Sequence, residues 1–139
     1  MNTRVYKEVH ALAKALMTAA QKKDQASFDG HYTKLKQLCE LHDGSDKDHP
    51  VQWETLGDFT EDFDLAISIY EKALSKAKAK NAQEYMASIG YSVALLKVEL
   101  GDTQAALVSL QQAKTNAQNI IDKDLKTEIQ QLIKKLESA

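Results

Sequence analysis

The residues best equipped for chemistry gather in the segment HDGSDKDH, residues 42–49, where two imidazoles and three carboxylates fall within one short stretch. His42 and His49, with Asp43, Asp46 and Asp48, are the donor types that hold zinc, and a zinc-bound water hydrolyses bonds near neutral pH. The spacing does not fit a calcium loop, which needs glycine at its sixth position and glutamate at its twelfth. The plainer account is a solvated acidic loop that ends in a helix cap. A second cluster, Glu61, Asp62 and Asp64, crowds one turn. Paired carboxylates serve acid/base catalysis only in a pocket that raises a pKa. At a helix start they instead cap free N–H groups and complement the dipole. Ser45, Cys39 and His42 are close in sequence, but no G-x-S-x-G frame holds the serine. No phosphate loop, G-x-G-x-x-G or H-E-x-x-H is present. No catalytic, metal or cofactor-binding residue is therefore assigned, and no enzyme activity or cofactor is expected. A metal-dependent hydrolase built on the 42–49 loop is the remaining catalytic alternative.

Lys72, Lys76 and Lys80 are spaced by four and share a helix face, with Lys78 beside them. Lysines near a helix C-terminus complement its dipole and stay solvated. Aromatics are 6% of the chain and few interleave with these lysines, so no base-stacking platform is expected. The net charge of -2 offers no global attraction for nucleic acid. The charge is unevenly spread, however. Residues 1–38 carry seven Lys/Arg against three Asp/Glu, and residues 40–64 carry one Lys against nine Asp/Glu. Residues 65–139 carry ten against eight, so an acidic belt lies mid-chain.

The 139 residues, 43% hydrophobic and 27% charged, suit one soluble domain with a core. One proline and five glycines leave long stretches unbroken, as helices require. His10 and Lys14 interrupt the apolar run of the first twenty residues, so no signal peptide is expected. No stretch is apolar enough to span a membrane. A lone Cys39 makes no internal disulfide, and its place after Leu38 predicts a buried thiol. A cytoplasmic setting is expected.

Helical periodicity predicts seven helices. They cover residues 3–22, about 24–42, 50–60, 64–80, 82–100, 103–119 and a last one after 122. Asp24 is the expected cap of the second, and Pro50 the first residue of the third. Gly101 suits a left-handed helix end, followed by Asp102 or Thr103 as cap. Asp122 or Asp124 caps the last helix.

The segment YSVALLKVELGDTQAALVSLQQAK, residues 91–114, resembles a tetratricopeptide repeat. Such repeats have about 34 residues in two antiparallel helices. Ala94, Leu95, Gly101, Asp102, Ala106, Leu110 and Ala113 fall at the matching places. Trp53, Leu56 and Gly57, with Ala66, Tyr70 and Ala73, resemble a second copy. Its nine steps from Gly57 to Ala66, against twelve from Ala94 to Ala106, leave it about one turn short, with Phe59 or Phe63 filling the gap. A more degenerate copy is read over 5–40, with Lys22–Lys23–Asp24 in place of the Gly-Asp turn. Leu16 departs there from the usual small residue.

The resemblance implies an all-α fold, an antiparallel helix-hairpin stack of about seven helices forming one domain over 1–139. It comprises the degenerate repeat 5–40, the shortened repeat 50–80, the best repeat 83–117 and a capping helix over 122–138. It also implies a concave face made by the first helix of each pair. Tyr91, Leu95 and Val98 would point there, with Glu54 and Asp58 from the second copy and Met17 from the first. Apolar at one end and acidic in the middle, this face suits a basic, amphipathic protein or peptide partner. Glu54, Asp58, Tyr91 and Leu95 replace the basic clamp with which related co-chaperones hold acidic C-terminal peptides. The expected function is a non-enzymatic interaction module or adaptor. The alternative is a dedicated chaperone for one secreted or regulatory client.

Overall fold

The computed structural model describes residues 2–138; Met1 and Ala139, the ends of the expected domain, lie outside the described residues. The fold is all-α, as expected, with seven helices and no strand among the described residues. They are α1 Thr3–Gln21, α2 Gln25–His42, α3 Pro50–Asp58, α4 Phe63–Ala79, α5 Gln83–Glu99, α6 Thr103–Asn116 and α7 Lys123–Glu137. No helix among the described residues is long and apolar enough to cross a membrane.

Side chains set the helix starts. Asp24, Asp102 and Asp122 each accept the backbone N–H three residues on, at 3.2, 3.1 and 3.0 Å. Asp102 rather than Thr103, and Asp122 rather than Asp124, therefore occupy the cap positions. Asp62 Oδ1 accepts the Asp64 N–H at the start of α4, so this member of the second acidic cluster acts as a cap. His49 caps α3 through Nδ1, which accepts the Val51 N–H at 3.1 Å, and Pro50 follows in the first turn.

Three helix ends share one backbone device. At Lys23, Asn81 and Gly101 φ is 56°, 51° and 80°. In each case the next residue's N–H bonds the carbonyl five back, Asp24 to Ala19, Ala82 to Ala77 and Asp102 to Lys97, all at 2.9 Å. The left-handed residue itself bonds the carbonyl three back at 3.0–3.1 Å. This paired closure satisfies carbonyls that a helix end would otherwise orphan. Glycine adopts it freely, whereas a lysine there costs about 1–2 kcal/mol.

The chain divides into two compact units, Met1–Ile69 and Tyr70–Ala139, with the division inside α4. In the first, α1, α2 and α3 pack on one another. Val5, Val9 and Leu16 of α1, Leu35 and Cys39 of α2, and Trp53 and Leu56 of α3 are buried. The Cys39 thiol donates to the Gln52 carbonyl at 3.3 Å. The 42–49 loop is not simply solvated. Asp48 is buried and accepts from Trp53 Nε1 and from the Gly44 N–H, both at 2.9 Å. Burial of the indole requires that acceptor, and the loop folds back to supply it. Tyr32 donates to Thr60 Oγ1 at 2.7 Å while Thr60 donates to the Leu56 carbonyl, which ties α2 to the end of α3. Phe59 is half-buried with its ring edge on Phe28, whereas Phe63 is largely exposed.

In the second unit α5 and α6 form an antiparallel hairpin across Gly101. Gly90 meets Ala113 near one end and Lys97 meets Ser109 nearer the turn. Ala94 and Ala106 are fully buried in the shared core cluster with Ala87, Leu110 and Ala113. A Cβ placed on Gly90 would lie 3.2 Å from that of Ala113, tighter than ordinary packing. Ile129 and Ile133 carry α7 onto the same cluster.

Ala106→Leu is expected to overpack the α5–α6 core and lower unfolding free energy by about 1–3 kcal/mol in denaturant titrations; unchanged stability would contradict the close packing. Asp48→Ala leaves the Trp53 indole N–H buried without its acceptor. It is expected to cost about 1–3 kcal/mol, read by the same titration with Trp53 fluorescence.

Candidate functional site

Each helical residue advances about 100° around the axis. Tyr91, Leu95 and Val98 therefore form one stripe on α5, and the structure brings these three expected residues together. Tyr91 and Val98 are half-buried against the core cluster, which Leu125, Leu132 and Leu136 of α7 also join. Leu95 is 41% exposed, and Glu99 beside it is exposed. Burial raises the Tyr91 phenol above its usual value, and the neighbouring Glu128 carboxylate of α7 raises it further by its charge and as hydrogen-bond acceptor. The stripe is thus anchored to the core at Tyr91 and open at Leu95, with acids along its border.

The other three expected residues belong to the first unit. Glu54 and Asp58 sit one turn apart on α3, half-buried and exposed respectively, and both are engaged in polar interactions. Met17 is 53% exposed on α1. It shares its face with Tyr6, His10 and Ala13, at steps of four, three and four. The Tyr6 and His10 rings stack with centroids 6.3 Å apart. The exposed charges that border this stripe, Lys7 and Lys14, are cationic. Met17 therefore lies in surroundings of opposite sign to Glu54, Asp58 and Glu128.

A feature absent from the sequence expectations is a groove of about 470 Å³ in the second unit. Met86, Gly90, Val93 and Lys97 of α5 form its floor at steps of four, three and four, about a third of a turn around the helix from Tyr91. Glu71, Leu74 and Lys78 of α4 make one wall, and Ser109, Gln112 and Asn116 of α6 the other. Lys97 Nζ donates to Ser109 Oγ at 3.1 Å. A sequence signal for this pair does exist. Ser109 falls on the buried side of α6 with Ala106, Leu110 and Ala113, where a hydroxyl needs a partner, and Lys97 is the one cation of α5.

A serine beside a lysine is also a nucleophile beside a base. Acyl transfer further requires donors for the developing oxyanion. Ser109 lies mid-helix, where the surrounding backbone N–H groups are committed to the helix ladder. The pair is better suited to holding an anion than to cleaving a bond. In the 42–49 loop, Asp48 is engaged by Trp53 and Gly44, and His49 Nδ1 by Val51. Among the described residues no three His, Cys, Asp or Glu side chains come together as a metal cage.

Comparisons with models of protein families, with curated proteins and with solved structures find no match.

The Tyr91 environment carries a pH signature. Its folded pKa lies above the unfolded value of 10.0, so folding favours the neutral phenol. That stabilisation is fully present below pH 10.0 and is lost as pH rises through the higher folded value. Denaturant titrations at stepped alkaline pH are expected to show stability falling in this window. Tyr91→Phe should show a shallower fall, and equal slopes would contradict the assignment.

Proposed function

We propose that this chain is a non-enzymatic, tetratricopeptide-like interaction module that holds a basic, amphipathic protein segment on the outer stripe of α5. The observation that carries the reading is the stripe itself. Leu95 is exposed beside half-buried Tyr91 and Val98, on a helix held by the close approach of Gly90 to Ala113, with Glu99 and Glu128 at the border. A rigid apolar anchor with acidic margins selects a partner with apolar side chains and Lys/Arg. The repeat-like character is supported by small residues in the α5–α6 core and by the three matching helix closures. The acidic residues Glu54 and Asp58 of α3 belong to the same proposed preference for basic partners. A cytoplasmic setting accompanies it, since the chain has one cysteine and needs no disulfide.

Matched capture with the native chain and with Leu95→Glu tests the proposal. Leu95 is exposed, so its replacement leaves the core intact. A partner retained by the native chain is expected to weaken by about 1–3 kcal/mol against the variant, through faster dissociation. Its association with the native chain should slow as salt rises. A partner held equally by both proteins, at a rate indifferent to salt, would remove the α5 stripe from consideration.

A further inference from the structure

The groove between α4, α5 and α6 receives the ammonium of Lys97, a half-buried residue with no carboxylate partner among the described residues. Lys97 Nζ donates to Ser109 Oγ, and no carboxylate among the described residues lies within salt-bridge distance of it. Ser109 is only 8% exposed. Its hydroxyl accepts from Lys97, and its own proton meets no acceptor among the described residues. An ammonium and a hydroxyl thus present undonated protons at one spot inside a groove. Buried hydroxyls are ordinarily satisfied, and a ligand acceptor placed between the two donors would satisfy this one.

The geometry points to a second binding site here, for an extended peptide segment whose acidic side chain is held by Lys97 and Ser109. A carboxylate accepts two convergent donors at once, in short, charge-assisted hydrogen bonds. Beside that spot the floor turns apolar at Val93 and Met86, which suits apolar side chains flanking the acid. The side-chain amides of Gln112 and Asn116 on the α6 wall offer both donor and acceptor, the pair that an extended backbone presents. From Met86 to Lys97 the floor runs about 16 Å along α5, the span of roughly five extended residues. Lys78 adds a second cation on the α4 wall, and Glu71 opposes it, leaving the lining with a net positive charge. Glu71 also disfavours a segment with acids in series, so the fitting segment carries one acid between apolar residues. This site is independent of the α5 stripe proposed above, and it takes a partner of opposite charge.

The test uses the full chain, labelled for backbone-amide NMR, and three N-acetylated pentapeptides. The first is acetyl-Ala-Leu-Asp-Leu-Ala-amide, the second its asparagine counterpart, and the third the asparagine peptide with a free C-terminal carboxylate. The aspartate peptide is expected to shift the amides of Val93, Lys97 and Ser109 and to bind about tenfold or more tightly than the amidated asparagine peptide. Lys97→Met keeps the apolar stem and should abolish that difference. Ser109→Ala should reduce it, and circular dichroism of both variants checks that the helices persist. Equal binding of the aspartate and asparagine peptides, shifts outside the groove, or no shift with any peptide would overturn the proposal. Preference for the free C-terminus would also overturn it, because the carboxylate held would then be a chain end.

Discussion

Gly90 and Ala113 approach so closely that one added methyl would press on its neighbour. Almost everything in the second unit depends on this limit. Because α5 and α6 run side by side on glycine and alanine, Leu110 and the isoleucines of α7 can reach a common core. The same proximity lets Lys97 reach Ser109 across the hairpin, and it sinks the floor of the groove below its walls. A helix packed this closely on one neighbour keeps its register, so Tyr91 and Leu95 hold a fixed angle to α6. The small residues are a constraint on shape first and a source of stability second.

The two surfaces of α5 differ in sign as well as direction. Acids border the Tyr91 stripe, and an uncompensated lysine lies in the groove around the helix from it. A charge reversal over a third of a turn gives each surface a potential that repels what the other attracts.

Much of the helical order was legible because its signals are local. Pro50, Asp24 and the Gly101–Asp102 pair each mark a boundary by their own chemistry. The closures at Lys23 and Asn81 were far less visible, although their hydrogen bonds repeat those at Gly101. The device is made of backbone, and a lysine does not announce a left-handed residue as glycine does. In sequence Asp48 is one acid of a polar loop, because its bond to the Trp53 indole depends on how the loop returns. The repeat resemblance names the Tyr91–Leu95–Val98 face, whereas the packing of α7 beside Tyr91 joins residues distant in sequence and has no local signal. The groove needed three helices placed together, and no short pattern in α4, α5 or α6 reports that.

Trp53 is the chain's single indole, and it lies in the unit that ends at Ile69. Its emission is therefore a private optical channel of that unit. The second unit contributes only tyrosine signals, from Tyr70, Tyr85 and Tyr91. A melting curve followed by indole emission records one half of the molecule, whereas far-ultraviolet dichroism weights all seven helices. Coincidence of the two curves, or a gap between them, reports directly whether this chain melts as one cooperative body or as two.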